Sequence, residues 1–410
     1  MAEYRELPDD ALDTYQSFLS YAFNPAGDVY EPGEDELPLP AQVGERRGLF
    51  EAGELRSVCA HQFFRTSLRD DWFEIGGLSA VATPPEFRRQ GHVSTMLASV
   101  LEEYRDRDVF LSALWPFDYG FYRKFGWEMG TRLAVETGPP DALDFAHDNG
   151  HGHFERMNPD DWDALHEVRL EYGSGYDLTV DRTEEWWRKR IFSGWESDPY
   201  VYGWMDDGEV RGYVVYRLSE DDDGDTELVV WELAYVDHDA RTNMLRFLAN
   251  HDSQVHQLRR YSPPDDLLID SIPDPRAFEY TIKPGAMVRV VDVIQALEAI
   301  SYPRDLSSTL SILVSDPMVD WNTGVFDVVF EDGVATVERR EHSSSPDSGG
   351  TETKESDVAL DIASLSQLFV GYRTVSDLAD SGAISVSDST AAETLESAFP
   401  SRNCFLGENF

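Results

Sequence analysis

The sequence predicts an α/β (α+β) chain in which two related units, each a mixed sheet with helices, precede a third α/β region. Three observations predict it. Strand-like and helix-like segments alternate along the 410 residues. The start of the chain recurs, because Pro159-Asp160-Asp161 lies 151 positions after Pro8-Asp9-Asp10 and an apolar helix follows each. Near the end, a strand hairpin is expected to turn at Asp332-Gly333.

The first unit opens with a helix that Asp9 or Asp10 is expected to cap. Two strand-like runs follow, "LRSVCAHQFF" and "WFEIGGLSAVA". The stretch "ATPPEFRRQGHVSTML" then leads into a helix with one apolar stripe: Val93, Met96, Leu97, Val100, Leu101 and Tyr104. The unit closes with a buried strand, "DVFLSALWP", and a short helix and turn, "YGFYRKFGW".

The rest of the chain is divided by the same kinds of pattern, namely composition and apolar spacing. Residues 138–153 are rich in Pro, Gly, Asp and His and are typical of a linker. After it come strands at "YVYGWM" and "VRGYVVYRL", then a strand and helix in "LVVWELAYVDHDARTNMLRFLANH". The third region starts near "AMVRVVDVIQALEAI" and includes a serine-rich loop at 342–356. Two helices close it, one in "DIASLSQLFVGYR" and one capped by Asp388.

Charge and composition limit the function classes. The formal net charge is −44, and 30 of the 34 basic residues are arginine. Such a chain is not expected to bind nucleic acid through its general field. Dispersed acid with scarce lysine favours adaptation to concentrated salt, although attraction of a cationic substrate is also open. No apolar run is long enough for a bilayer and no signal peptide is recognisable, so we expect a cytoplasmic protein without membrane contact.

Cysteines and histidines give little sign of a metal or disulfide site. Cys59 and Cys404 lie far apart, and we expect each to be a small buried hydrophobe. His147, His151 and His153 could bind a metal, but no rigid element is expected to fix them. We therefore expect no metal.

The segment "RRQGHV" joins a predicted strand to a predicted helix, and this context can hold a pyrophosphate. The first amides of a helix have no internal partner, Gly91 lets the backbone approach closely, and Arg88 and Arg89 add charge. A plain strand-to-helix turn is the alternative, because arginine pairs recur at 46–47, 259–260 and 339–340. The spacing differs from both Walker and dinucleotide-binding patterns. The second copy, "DHDARTNML", lacks the glycine and is expected to be degenerate.

Residues 78–130 carry a family resemblance. "LSAVATPPEFRRQGHVSTML" resembles the acetyl-coenzyme A (acetyl-CoA) loop of the GNAT N-acetyltransferases, and "FYRKFGW" is similar to their later Tyr-x-x-x-Phe-Gly-aromatic segment. The order of a GNAT-like unit, a degenerate second one and an α/β end finishing in Phe resembles the enhanced-intracellular-survival (Eis) acetyltransferases. In that family the third part is similar to a sterol carrier protein. The resemblance implies a GNAT domain at 1–137, a linker at 138–153, a degenerate GNAT-like domain at 154–285 and a sterol-carrier-like domain at 286–410.

The resemblance also implies roles for single residues. Tyr122 would be the general acid, and the terminal carboxylate of Phe410 the general base. That base requires an ordered terminus, which the apolar "NCFLGENF" favours. Acetyl-CoA would be held by strand and loop residues: Val81, Ala82, Thr83, Arg88, Arg89, Gln90, Gly91, His92, Val93 and Ser94.

Two positions depart from the family pattern. Val93 stands where a small residue is usual and would crowd the approach to the loop. Asn409 stands where relatives carry an acid, which bears on acceptor contacts more than on the base.

The resemblance implies partners and leaves alternatives open. The expected function is transfer of acetyl to a primary amine of a polycationic small molecule or a lysine-like acceptor. The expected assembly is a homo-oligomer, a hexamer by resemblance. Two other functions stay open: a lipid or small apolar ligand carrier, and an acetyl-CoA-binding sensor without chemistry.

Overall fold

The computed structural model of the chain confirms a mixed α/β fold with three mixed sheets. It describes residues 2–27, 30–31, 37–146, 151–220, 224–340 and 356–410. His147 and all but the last residue of the serine-rich segment 342–356 lie outside this range. Among the helices that are described, none is long and apolar enough to cross a membrane.

The described residues form twenty strands and ten α-helices, numbered in chain order. The strands are β1 (Ala2–Glu6), β2 (Glu45–Glu51), β3 (Glu54–Leu68), β4 (Asp71–Ala82), β5 (Leu111–Leu114), β6 (Glu128–Met129), β7 (Arg132–Gly138), β8 (His153–Arg156), β9 (Val180–Asp181), β10 (Tyr200–Asp206), β11 (Glu209–Glu220), β12 (Thr226–Tyr235), β13 (Gln257–Ser262), β14 (Glu279–Pro284), β15 (Met287–Val290), β16 (Ser308–Ser315), β17 (Gly324–Glu331), β18 (Val334–Arg339), β19 (Val358–Asp361) and β20 (Ile384–Val386). The helices are α1 (Leu12–Phe23), α2 (His92–Asp106), α3 (Tyr119–Arg123), α4 (Trp162–Gly173), α5 (Glu184–Trp186), α6 (His238–Ala249), α7 (Val293–Ala299), α8 (Ile362–Phe369), α9 (Val375–Asp380) and α10 (Ser389–Ala398).

The first two sheets share one topology. The first sheet has the order β1-β2-β3-β4-β5-β15-β6, with β9 added beside β3, and the second has the order β8-β10-β11-β12-β13-β7-β14. In each, one central pair is parallel, β4 with β5 and β12 with β13, and the other pairs along the order are antiparallel. The recurrence of Pro-Asp-Asp in the sequence therefore reflects a repeated architecture.

The two units exchange one strand each. After β6 the chain crosses into the second sheet as β7, and after β14 it crosses back into the first sheet as β15. The crossing segments touch, because the amides of Gly130 and Thr131 donate to the carbonyl of Ala286 at 3.0 and 3.2 Å, and the Gly285 amide donates to the Thr131 carbonyl at 3.0 Å. The first sheet thus includes β15, which follows the second unit in the chain, and the second sheet includes β7, which follows the first unit.

Sheet membership therefore does not follow the expected segments. Strand β7 falls in the segment expected for the first unit but pairs in the second sheet, and β15 falls in the segment expected for the third region but pairs in the first. Within the expected linker, Leu143 is fully buried in the core of the second unit. The division at 137, 153 and 285 stays a proposal.

Local predictions at helix starts and turns have mixed outcomes. The cap predicted for α1 is wrong, because Asp9 and Asp10 lie in a 3-10 turn and Ala11 precedes the helix without a side-chain cap. In the third region, Asp388 caps α10 by accepting from the Ala391 amide at 3.0 Å, as predicted. The hairpin between β17 and β18 also turns as predicted, with φ of 53° at Asp332 and 86° at Gly333.

The apolar stripe predicted for α2 packs against the core of the first unit. Its residues are buried, except that Val93 is partly buried.

The opposite face of the first sheet packs directly on the third region. Leu111 and Val288 share one buried cluster with Leu365 and Phe369 of α8. The third region, a sheet of order β18-β17-β16-β19-β20 with helices α7 to α10, is thus part of the same core as the first sheet.

A buried ion pair joins the exchanged strand to the third region. The Arg289 guanidinium on β15 donates to the Asp316 carboxylate at 2.6 Å, and both side chains are fully buried. Arg289 also donates to the carbonyl of Phe125. Removing one partner of a buried pair leaves the other charge uncompensated, which is more costly than exchanging both.

We expect Asp316→Asn to lower the free energy of unfolding by about 3 kcal/mol, because Arg289 would keep its burial and lose its counter-charge. The measurement is urea unfolding followed by tryptophan fluorescence. The control is Asp327→Asn, which breaks the more exposed pair with Arg340 and is expected to change stability by about 0.5 kcal/mol. Equal midpoint shifts for the two variants would contradict a stabilising role for the buried pair.

Candidate active site

The parallel strands β4 and β5 part after a short pairing, and the gap between their ends is the candidate cleft. They pair only through Gly76 with Ser112 and Gly77 with Ala113, and the rest of β4 has no strand on that edge among the described residues. A β-bulge sits just beyond, where Ala80 has a φ of 53° and the pairing with β3 shifts register between Val58 and Ala60. The bulge and the missing ladder leave the last residues of β4 without a strand partner on the edge that faces the gap.

Val81, Ala82 and Thr83 end β4 and lead into the loop. Val81 packs against the core of the first unit, and Ala82 is buried under α1. The Thr83 hydroxyl lies 2.6 Å from that of Ser57. The Thr83 carbonyl accepts from Arg88 at 2.9 Å, so this guanidinium folds back onto the strand. It also lies over the ring of Tyr21, with 5.6 Å between the guanidinium carbon and the ring centroid.

The loop before α2 has an open backbone. Arg89 and Gly91 both have positive φ, 59° and 84°, and both are exposed. A Cβ at Gly91 would meet nothing within 4 Å. Gly91 occupies the cap position of α2 without a side-chain cap, and the first helical bond runs from the Thr95 amide to the Gly91 carbonyl at 3.0 Å. The first amides of α2 therefore face open space and have no side-chain acceptor, which suits an anion.

The other loop residues direct their side chains elsewhere. The Gln90 amide donates to the Glu86 carbonyl at 2.8 Å. His92 is buried, with its Nδ1 atom 3.0 Å from the Phe87 carbonyl. Val93 is partly buried against the first unit's core, which accommodates the branched side chain, and Ser94 is exposed. At Gln90, His92 and Val93 the backbone is therefore the part available to a phosphate, whereas exposed Ser94 offers its side chain as well.

Tyr122 lies in α3, a short helix capped by Asp118, which accepts from the Phe121 amide at 2.9 Å. Its side chain is 4% exposed and packs in the same cluster as Leu78 and Leu114, the residues just past the parting of β4 and β5. Among the described residues the Tyr122 hydroxyl has no hydrogen-bond partner. Burial, followed by the nearby Cys59 thiol, raises the pKa of Tyr122 above its ordinary value of 10.0, so the phenol stays protonated at physiological pH.

The C-terminal residue reaches the same place from the other end of the chain. The Phe410 ring lies 5.0 Å from that of Phe64, measured between centroids. A Cβ at Gly77 would come within 2.8 Å of the Phe410 ring, so a glycine there permits the contact. Gly77 is the last β4 residue paired with β5. Tyr122 and Phe410 therefore both pack beside the parting of β4 and β5, at Leu78 and at Gly77, and the loop follows the end of β4.

Glu408 is the important residue that sequence reasoning missed. Its side chain is 1% exposed and accepts from Arg182 at 2.8 Å and from the Trp186 indole at 2.9 Å. The Glu408 carbonyl accepts from the Trp115 indole at 2.5 Å. The available signal was a single acidic residue inside an apolar terminal peptide, and such a residue needs partners if the peptide is buried.

Of the three candidate metal ligands, the structure describes His151 and His153, and each contacts a different neighbour. His153 lies 2.7 Å from Glu155, and the His151 ring packs beside Trp204. Within the described part of the chain, no group of three or more His, Cys, Asp or Glu side chains could hold a metal ion.

Comparison with known families assigns this fold. Residues 3–130 and residues 178–290 each match an acetyltransferase (GNAT) domain, and residues 293–407 match a sterol carrier protein domain. The chain is a GNAT-type N-acetyltransferase with a C-terminal sterol carrier protein domain. GNAT acetyltransferases use acetyl-CoA as their donor.

Relatives span nearly the whole GNAT chain. An uncharacterized N-acetyltransferase of Streptomyces griseus is 26% identical over 93% of this chain and 92% of its own. N-acetyltransferase Eis of Mycobacterium tuberculosis is 25% identical over 89% of this chain and 88% of its own. A probable N-acyltransferase structure from Enterococcus faecalis superposes with a TM-score of 0.83, at 22% identity, 99% coverage of this chain and 100% of that one. Eis1 from Mycobacterium abscessus superposes with a TM-score of 0.75, at 21% identity and full coverage of both chains.

We expect Gly91→Ala to weaken acetyl-CoA binding about tenfold, because a Cβ at a positive φ shifts the loop backbone that a pyrophosphate approaches. Isothermal titration calorimetry with CoA measures it. The control is Gly208→Ala, at a φ of 88° and with open space in the turn between β10 and β11. Both variants should lose about 1 kcal/mol of stability to backbone strain. Unchanged CoA affinity in Gly91→Ala would contradict a pyrophosphate site at this loop.

Proposed function

We propose that this enzyme transfers acetyl from acetyl-CoA to a primary amine of a polycationic small molecule or a lysine-like acceptor. The GNAT domains support acetyl transfer, and the net charge of −44 favours a cationic acceptor at low ionic strength, since concentrated salt screens the attraction. A homohexameric assembly, a cytoplasmic location and adaptation to concentrated salt belong to the same proposal.

The proposed donor site follows the end of β4 and the start of α2. The unpaired edge of Val81 to Thr83 would bind the pantetheine amides, and the backbone amides from Arg89 to Ser94 would bind the pyrophosphate. The Arg89 side chain is exposed at this loop and would add charge, whereas Arg88 would first have to leave the Thr83 carbonyl. The open backbone at Gly91 and the uncapped start of α2 support this assignment.

The proposed chemistry uses both ends of the cleft. The acceptor nitrogen attacks the thioester carbonyl and the new C–N bond forms. The terminal carboxylate of Phe410 accepts the amine proton, directly or through water. As the C–S bond breaks, Tyr122 gives its phenolic proton to the sulfur, which leaves as the CoA thiol. The raised pKa of Tyr122 supports the acid role, because the phenol holds its proton until it is needed.

The ordered C-terminal peptide carries the proposal. It leaves the third region, passes the second unit and ends with the Phe410 ring on Phe64 and Gly77 of the first sheet. A peptide that ends on the first sheet favours a catalytic terminus over the carrier alternative. Release of CoA thiol in the presence of amines distinguishes the enzyme from an acetyl-CoA sensor, which would bind the donor without turnover.

We expect Tyr122→Phe to lower kcat by about 10²- to 10⁴-fold with little change in the KM for acetyl-CoA, because the sulfur would lose its proton donor. Thiol release at high salt with a polyamine panel measures it. Tyr119→Phe is the control, since Tyr119 lies in the same helix and its hydroxyl bonds the Gly285 carbonyl at 2.6 Å. Wild-type kcat should show no alkaline loss up to pH about 10, because the Tyr122 pKa is raised. A full rate in Tyr122→Phe would contradict the acid role.

We expect a Gly-Ser extension after Phe410 to lower kcat about 100-fold, because it moves the proposed base, the terminal carboxylate, away from the position of Phe410. The same extension placed before Met1 is the control and should leave kcat unchanged. Calorimetry with CoA should give equal affinities for the two extended proteins. An unchanged rate after C-terminal extension would show that the terminal carboxylate is not the base.

A further inference from the structure

The second unit has its own parting of parallel strands. Strands β12 and β13 pair from Glu227 with Gln257 to Val230 with Arg260, and β12 then continues to Tyr235. This place corresponds to the donor cleft of the first unit. Here a cavity of about 30 Å³ remains, lined by both strand ends and by the C-terminal peptide: Arg169, Tyr172, Trp231, Glu232, Leu233, Tyr261, Pro263, Phe405 and Gly407. The C-terminal peptide lies where a ligand would enter a working copy.

The backbone of the C-terminal peptide is fixed on both sides. The Phe405 amide donates to the Asp177 carbonyl, and the Asp177 amide donates to the Asn403 carbonyl, each at 2.9 Å. Arg190 donates to the carbonyl of Asn409. This guanidinium also lies over the Trp186 ring, 5.0 Å from its centroid. The second unit therefore holds the backbone of the last eight residues at Asn403, Phe405 and Asn409, while the Trp115 indole of the first unit holds it at Glu408.

The carboxylate of Glu408 is the most buried charge of this peptide. Arg182 bridges two carboxylates, donating to Glu408 at 2.8 Å and to Glu232 of β12 at 2.9 Å. Arg169 completes the group, 3.3 Å from Glu408 and 3.7 Å from Glu232. Two arginines thus pair with two glutamates in the interior. Burying any one of these charges without an opposite charge beside it would be unfavourable. Burial opposes ionisation of Glu232, but Arg182 and Arg169 lower its pKa, so it stays charged and holds the arginines in place.

We propose that Glu408 is a positioning residue for the reaction. Through its contacts with Glu408, the second unit holds the terminal carboxylate at the cleft of the first unit. This proposal rests on the proposed role of the Phe410 carboxylate. Phe410 lies two residues beyond Glu408, which is ~7 Å of extended chain, so a fixed Glu408 confines the terminus to a small volume. Catalytic groups need such confinement, because a displacement of about 1 Å can cost 10²-fold in rate.

The test is a double-mutant cycle between Glu408→Gln and the C-terminal extension. Thiol release gives kcat and both KM values, below the unfolding temperature of every variant. We expect Glu408→Gln to lower kcat about 10- to 100-fold with an unchanged KM for acetyl-CoA. In the extended protein, whose terminal carboxylate is already displaced, the same substitution should change kcat by less than about twofold. Glu408→Asp keeps the charge on a shorter side chain and should recover part of the rate.

The matched control is Glu136→Gln, which removes a different buried carboxylate, one that lies on β7 of the second sheet. Glu136 accepts from Arg260 at 2.7 Å and has no contact with the C-terminal peptide among the described hydrogen bonds and ion pairs. It should lower the unfolding temperature without lowering kcat. Equal losses of kcat by Glu408→Gln in both backgrounds, or no loss in either, would overturn the positioning role. An extension that leaves kcat unchanged would instead overturn the proposed base itself.

Discussion

The ion pair between Glu408 and Arg182 is the interaction on which the arrangement of the active site depends. It lies in the interior, bridges the C-terminal peptide to β12 of the second unit through Glu232, and is followed by only Asn409 and Phe410. Burying a carboxylate costs several kcal/mol unless it is paired and hydrogen-bonded, so the peptide is stable inside only in the register that pairs Glu408 with Arg182 and Trp186. That register sets where Phe410 can lie.

The strand exchange makes the two units mutually dependent. Because β15 completes the first sheet and β7 the second, neither sheet is whole without the other unit. The third region adds to this, since its α8 packs on the face of the first sheet in one continuous core. A terminus anchored in the second unit can therefore serve a cleft in the first, because the two sheets are tied where Thr131 and Ala286 meet. This also gives the degenerate second unit a place in the mechanism we propose.

Local features were predictable from the sequence, whereas long-range pairings were not. The loop with Gly91, the helix behind it, the hairpin at Asp332-Gly333 and the packed aromatic terminus depend on short-range patterns of glycine, apolar spacing and turn residues. The sequence predicts β15 to be the start of the third region, because the residues "AMVRV" contain no pattern that indicates which sheet the strand joins. Glu408 went unnoticed because its main partner, Arg182, lies 226 residues away. The predicted cap of α1 is wrong because both aspartates lie in a 3-10 turn before the helix.

The most direct test of the central claim is a crystal structure with a bisubstrate analogue in which CoA is joined to a primary amine. Our account predicts the pyrophosphate on the amides after Arg89 and the sulfur beside the Tyr122 hydroxyl. It predicts the amine nitrogen within about 3 Å of the Phe410 carboxylate, or one water away. An analogue bound there with the Phe410 carboxylate turned from the amine, and Glu408 still paired with Arg182, would contradict the account.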